Sequence, residues 1–253
     1  MNLRPLVFVV LASSLLSGCI INVNGAGMRS FDYHHQEQLA IDANELTTLV
    51  ANTGAGSLII KGEPGLTQVQ LEADIYGYEG IEPELTLSRD GDRAKLVANF
   101  DGMWSFSGNS PYIDLIVKVP EAMKLDIDDG SGSIDIKGVI ADMKINDGSG
   151  SMTIDGGKSL DINDGSGEVV LTNVNGAINL EDGSGSIEIS HVNGDVMITD
   201  GSGAMTIKHV VGKVTIDDGS GSIRVENSNG LLITESGSGD VSFDNINGPV
   251  SLN

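Results

Sequence analysis

Cysteine is almost missing from this sequence. The single one, Cys19, has no disulfide partner and no companion thiol, which excludes a stapled framework and a thiolate metal site. Aromatic residues make up 4% of the chain, and none occurs from Ile113 to Ser242. Whatever core that stretch builds must be too narrow for a ring. Cations are scarce: 14 Lys and Arg stand against 36 Asp and Glu, a formal charge of -22. So acidic a surface argues against nucleic acid and anionic lipid as partners, and leaves cations, basic proteins and neutral glycans. No amphipathic helical pattern appears after residue 36, so the expected class is all-β. There is no P-loop, no clustered metal-ligand motif and no nucleophile motif. Carboxylates are so common that no pair is singled out as a glycosidase acid and base.

What is present begins with MNLRPLVFVVLASSLLSGC, one positive charge and a short apolar run ending at a cysteine. This reads as a signal peptide over residues 1–18 rather than a membrane span. Leu16-Ser17-Gly18-Cys19 resembles the bacterial lipobox, which implies cleavage before Cys19 and diacylglycerol on its sulfur. Loss of Arg4 takes the charge from -22 to -23. Ile20 after the cysteine, where an aspartate would favour inner-membrane retention, implies sorting to the outer membrane. Two or three acyl chains anchor stably where one does not. Residues 19–30 are then a lipidated tether.

The organising feature is a repeat. Asp-Gly-Ser-Gly opens at Asp129, Asp147, Asp164, Asp182, Asp200 and Asp218, and a degenerate Ser-Gly-Ser-Gly follows at Ser236. The steps are 18 residues except for one of 17, which coincides with Gly156-Gly157-Lys158-Ser159. After each DGSG come alternating apolar residues, a corner that is often Asn-Gly, a second alternating pair and the next DGSG. Period-2 alternation between glycine corners means short strands with one buried face. Two such strands cannot make a core alone, whereas stacked coils bury a continuous aliphatic column, the logic of a β-solenoid. One column is Ile134, Met152, Val169, Ile187, Met205, Ile223 and Val241. Another is Ile136, Ile154, Leu171, Ile189, Ile207, Val225 and Phe243. Stacking at about 4.8 Å per coil makes residues 128–253 a rod on the order of 30 Å long.

Residues 31–127 read as a less regular β region continuous with the solenoid. Asn52-Thr53-Gly54-Ala55-Gly56-Ser57 fits the repeat with Thr53 in the aspartate place, an early coil. Glu84–Leu87 and Ala94–Val97 read as a hairpin across Asp90-Gly91. Ile113, Leu115, Val117 and Val119 line one face of a strand ending at Pro120. Together, the lipobox, the N-x-G-x-G-S-[LIV] turn, the strand ending V-K-V-P and the G-S-G coils resemble the bacterial β-strand-repeat domains known as putative adhesins, of unknown function. The resemblance spans most of Leu46 to Asn253. It implies a cell-envelope solenoid and brings no catalytic residues with it.

Three places invite a functional reading. The aspartates at 129, 147, 164, 182, 200 and 218 serve as turn punctuation, each accepting from backbone N–H groups two or three residues on. Alternatively they form an acidic ladder that calcium would relieve, beside a second oxygen-rich column of Asp128, Asn146, Asn163, Glu181, Thr199 and Asp217. His191 and His209 fall in one column with Asn173, Asn227 and Asn245. Stacked imidazoles suit zinc or copper, but the lack of further ligands favours an exposed polar ladder. Finally, Phe100, Trp104, Phe106 and Tyr112 belong to a Gly/Ser/Asn-rich loop. It serves either as a contact platform for a partner or as a cap over the solenoid's N-terminal end. Pro249 withholds a donor from the last edge, an edge-protection device.

The expectation is a non-enzymatic, lipid-anchored envelope solenoid that binds or scaffolds, with an envelope protein or glycan as partner and no cofactor beyond calcium. An envelope-stress or regulatory accessory role is the alternative, and a carbohydrate-active β-helix enzyme comes third.

Overall fold

A computed structural model describes residues 31–100 and 110–252, and among these every regular element is a strand. The signal peptide, Cys19 and the tether lie outside the described residues. The early part runs β1 (Tyr33–Asp42), β2 (Thr48–Ala55), β3 (Leu58–Glu63), β4 (Gln68–Gly77), β5 (Glu84–Asp90), β6 (Arg93–Asn99), β7 (Tyr112–Pro120) and β8 (Lys124–Lys137). The repeats follow as β9 (Met143–Asp147), β10 (Gly150–Asp155), β11 (Leu160–Asp164), β12 (Gly167–Val174), β13 (Ile178–Asp182), β14 (Gly185–Val192), β15 (Val196–Asp200), β16 (Gly203–Val210), β17 (Val214–Asp218), β18 (Ile223–Ser228), β19 (Leu231–Glu235), β20 (Val241–Ile246) and β21 (Val250–Leu252).

Each coil contributes one strand to each of two facing sheets. The even strands from β10 to β20 stack in parallel on the second half of β8. The odd strands from β9 to β21 stack in parallel on its first half. The register matches the repeat: Ile187 faces Val169 below and Met205 above, and Ile189 faces Leu171 and Ile207. Both predicted columns are buried through Val225, and the opposite sheet supplies a matching pair through Ile178 and Leu180. The apolar interior of the repeats is built from Ile, Val, Leu, Met and Ala, with no fully buried ring. Phe243, at the end of its column, is 44% exposed.

The early region is the same solenoid wound out of order. The β2–β3 coil lies directly under β8, with Thr53 paired to Asp129 and Leu58 to Ile134. Under β2 and β3 lie β6 and β7, which come later in the chain. The chain thus leaves room for a coil that it fills afterwards. Strands β1 and β4 then extend one sheet antiparallel from β7, and β5 closes the other against β6 as the expected hairpin. Ile113, Leu115, Val117 and Val119 face inward on β7, each at most 3% exposed.

The corners impose the strictest demand. At the fourth position of DGSG the backbone has φ between +142° and +156° from Gly150 to Gly221, a region L side chains rarely adopt. A Cβ on Gly185 would lie 1.6 Å from the carbonyl oxygen of Gly167 in the coil below. No side chain of any size fits between two such corners. Gly185→Ala should therefore destabilise by more than about 3 kcal/mol in denaturant melts, whereas its exposed neighbour Ser186→Ala should stay within about 0.5 kcal/mol of the parent. Equal effects would mean that the corners are not stacked.

Candidate functional site

The aspartates do not face water. Along each odd strand, apolar residues at alternate positions point inward and the aspartate continues that parity, as in Leu125, Ile127 and Asp129 or Met143, Ile145 and Asp147. Asp129, Asp147, Asp164, Asp182, Asp200 and Asp218 are 5, 5, 2, 6, 4 and 0% exposed. The ladder is therefore an interior column and no part of the acidic surface. The outward column is the neighbouring one, Asp128, Asn146, Asn163, Glu181, Thr199 and Asp217, all exposed.

Turn punctuation accounts for one oxygen of most of these carboxyls. Oδ1 of Asp147, Asp182, Asp200 and Asp218 accepts from the backbone N–H of the serine two residues on, at 3.1–3.2 Å. Asp129 accepts instead from the hydroxyl of Thr53, which continues the column into the β2–β3 coil. The other oxygen, Oδ2, is buried without a partner in all six, and Asp164 has no partner for either. Burial first, then the charges of Asp147 and Asp182, pushes the Asp164 carboxyl up to about 6. Burial likewise pushes Asp129 and Asp200 up to about 6, and raises Asp147, Asp182 and Asp218. Among the described residues no three His, Cys, Asp or Glu side chains converge as a metal site.

His191 and His209 do stack, with ring centroids 4.8 Å apart and planes 10° from parallel. What their column shares is backbone rather than ligand chemistry. Asn173, His191, His209, Asn227 and Asn245 all have φ between +53° and +58°. The extra left-handed residue sets successive inward side chains three positions apart rather than two, so that Val174, Val192 and Val210 face the core after Leu171, Ile189 and Ile207. Asn tolerates this conformation and His is enriched there too. The column is exposed save for Asn227, which is half-buried. The repeated Asn/His carried this signal in the sequence, where the corner was placed at the following Asn-Gly.

Tyr112 belongs to a cluster of rings on the outer face of β1, β4 and β7, a face that sequence reasoning did not assemble. The register sets His34 opposite Tyr76 and Tyr76 opposite Tyr112. Their planes stack at 4.4 and 4.8 Å, and Phe31 packs edge-on against Tyr112 at 5.4 Å and beside Tyr78 at 5.4 Å. One rung along lie Gln36, Asp74 and Asp114. Asp74 Oδ1 accepts from Gln36 Nε2 at 2.8 Å and lies 3.1 Å from His34 Nε2, while Asp114 Oδ1 accepts from Ser57 N and Oγ, both at 2.8 Å. Partial burial, then Asp74 and Asp114, raises the hydroxyl pKa of Tyr76, and partial burial, then Asp114, that of Tyr112. Phe100 is half-buried and packs on the core. Trp104 and Phe106 lie outside the described residues. The chain enters and leaves that loop on the DGSG side of the coil, since Ala98 pairs with Thr53 in the aspartate column.

The sequence pattern of the family Toastrack DUF4097 matches residues 84–250. No curated protein matches the chain. Among solved structures, a putative adhesin from Bacteroides fragilis is 13% identical, with a TM-score of 0.57 over 86% of this chain and 100% of that one. A putative cell adhesion protein from Clostridium sporogenes is 15% identical, with a TM-score of 0.39 over 87% and 100%. A putative adhesin from Parabacteroides distasonis is 10% identical, with a TM-score of 0.43 over 87% and 97%.

The backbone account of the His column has a direct check. His209→Gly should leave stability within about 1 kcal/mol of the parent, because glycine adopts positive φ freely, whereas His209→Val should cost about 1–3 kcal/mol. Thermal melts with and without zinc decide the matter, and a zinc-dependent rise in Tm that both substitutions abolish would assign the column to metal instead.

Proposed function

The chain belongs to the Toastrack DUF4097 family, and from that premise we propose that it is a non-enzymatic, adhesin-like binding solenoid carried on the bacterial envelope by a lipid at Cys19. The observation that carries this reading is where the rings lie. Four of the chain's ten aromatic residues, Phe31, Tyr76, Tyr78 and Tyr112, gather on one outer sheet face, beside the carboxylates of Asp74 and Asp114. Aromatic rings on a solvent-facing sheet contribute little to a solenoid's own core and are the side chains most enriched where proteins meet partners. Hydroxyls, an amide and carboxylates in the same rows supply directional hydrogen bonds. An envelope glycan or the surface of an envelope protein suits this mixture.

The solenoid is suited to displaying such a face. Stacked coils with a continuous dry interior make a stiff spacer, and the antiparallel strands carrying the rings sit at the end of the chain nearer the lipobox. The name given to the Bacteroides fragilis structure agrees with an adhesive role. The acidic exterior disfavours adsorption to nucleic acid or anionic headgroups, leaving membrane attachment to the acyl chains.

Two experiments test the reading. Metabolic labelling with palmitate and cell fractionation should place the labelled protein in the membrane fraction and the unlabelled Cys19→Ser variant in the soluble one; equal partition of both would remove the anchor. On arrays of envelope glycans and in binding assays with envelope proteins, Tyr76→Ala/Tyr112→Ala should lose about tenfold or more in affinity. Binding that survives the double change while the fold is intact would move the contact elsewhere.

A further inference from the structure

The six inward carboxyls combine features that are hard to reconcile if all are ionised. They are stacked in adjacent coils, paired strand to strand as Asp129 with Asp147, Asp147 with Asp164, Asp164 with Asp182, Asp182 with Asp200, and Asp200 with Asp218. Each is at least 94% buried, and each keeps Oδ2 away from every donor. Nothing positive approaches them from within: the buried polar residues described are these six, Thr53 and Ser228. Across the interior, β10, β12, β14 and β16 present only Ile, Val, Leu and Met, and β18 adds the neutral hydroxyl of Ser228. Around the corner, the exposed groups closest along the chain are Asp128, Glu181 and Asp217, which are acidic too. At one end β2 offers the neutral Thr53 hydroxyl, and beyond the other Glu235 of β19 pairs with Asp217.

Unpaired buried charge is among the costliest features a fold can carry, and neighbouring like charges add to it. Two species neutralise it: a metal cation or a proton. Calcium requires six to eight oxygens around one ion, and a pair of stacked carboxyls supplies at most four. A proton needs only two oxygens. The strand register sets Asp129 directly beside Asp147, and two adjacent carboxyls attract each other only when one of them holds a proton.

We propose that the interior carboxyl column is a proton-binding site: protons taken from solvent are shared between neighbouring aspartates, Asp129 with Asp147, Asp164 with Asp182 and Asp200 with Asp218, and they strengthen the solenoid as the surroundings become mildly acid. Each shared proton turns two repelling carboxylates into a carboxylic acid donating to a carboxylate, so three protons remove three of six interior charges. No other bond changes. The alternation is that of the carboxyls that burial, with their charged neighbours, pushes up to about 6: Asp129, Asp164 and Asp200.

The sign follows from linkage. Folded carboxyls with pKa above the unfolded value bind protons more tightly than the unfolded chain does, so their contribution is fully present below pH 4 and is lost as pH rises through about 6. This is opposite to ordinary acid denaturation. The full chain, purified in detergent, should show a Tm at least about 5 °C higher at pH 5 than at pH 8. Repulsion among surface charges gives a slope of the same sign, so variants separate the two. Asp129→Asn/Asp164→Asn/Asp200→Asn, neutral at every second rung, should melt higher than the parent at pH 8 and lose at least half of the slope. Glu181→Gln/Asp217→Asn, on the outward column, should keep it. An unchanged slope in the interior variant, or a parent less stable at pH 5, overturns the proposal. So does a calcium-induced rise in Tm at pH 8 that the interior variant loses, which would assign the column to metal. Should the triple variant not fold, carboxyl 13C NMR of the parent decides: Asp129, Asp164 and Asp200 should titrate near pH 6, and titration of all six in the ordinary carboxylate range refutes shared protons.

Discussion

Everything in this molecule depends on the contact between one glycine corner and the corner of the coil beneath it. Parallel strands in successive coils must approach to about 4.8 Å, and at the corners it is backbone that meets backbone. A Cβ at the fourth position of DGSG would lie 1.5–1.6 Å from a carbonyl oxygen at every step from Gly150 to Gly221. Once that spacing is set, every other position is constrained by its copies above and below. Side chains recur at identical places, so the interior becomes columns of like residues. Apolar columns gain from this and build the core. A column of carboxyls does not, and must find protons, donors or cations to persist.

That constraint explains why so much of the fold was legible. A period of 18 residues, two alternating segments per period and the absence of rings from Ile113 to Ser242 leave a narrow two-sheet solenoid as the architecture that buries the alternating aliphatic columns. Thr53 in the aspartate place marked the early coil, and the structure stacks it on Asp129. The 17-residue step maps to Gly156 and Gly157, both with positive φ. The insertion of β2 and β3 between β6–β7 and β8 was not legible, because local alternation says which face of a strand is buried and nothing about the order in which strands are laid down.

The candidate sites were legible in unequal measure. The direction of the aspartates was written in the parity of Leu125, Ile127 and Asp129, although the cost of burying a carboxylate weighs against reading it there. The His and Asn column was visible as a column, whereas its cause, a left-handed backbone that adds one residue before Val174, Val192 and Val210, needed dihedral angles to see. The ring cluster was hidden for a different reason. Phe31, His34, Tyr76 and Tyr112 are distant in sequence and meet only because β1, β4 and β7 pair antiparallel, a long-range register that no single segment encodes.

Two chemistries thus occupy one rod. A closely stacked interior holds polar groups that only stacking brings together, and the exterior gathers Phe31, Tyr76, Tyr78 and Tyr112 on the antiparallel region outside the repeat. The first depends wholly on the corners being closed, with the aspartates turned inward and Asp147, Asp182, Asp200 and Asp218 held by the backbone of their own turns. Hydrogen–deuterium exchange at the serine amides of the corners, Ser149, Ser184, Ser202 and Ser220, tests this most directly. Stacked corners with inward carboxylates predict exchange as slow as that of the strand amides at Ile187 and Ile189. Exchange as fast as at the turn around Gly65, where an added Cβ would meet nothing within 4 Å, would show open corners and contradict the account.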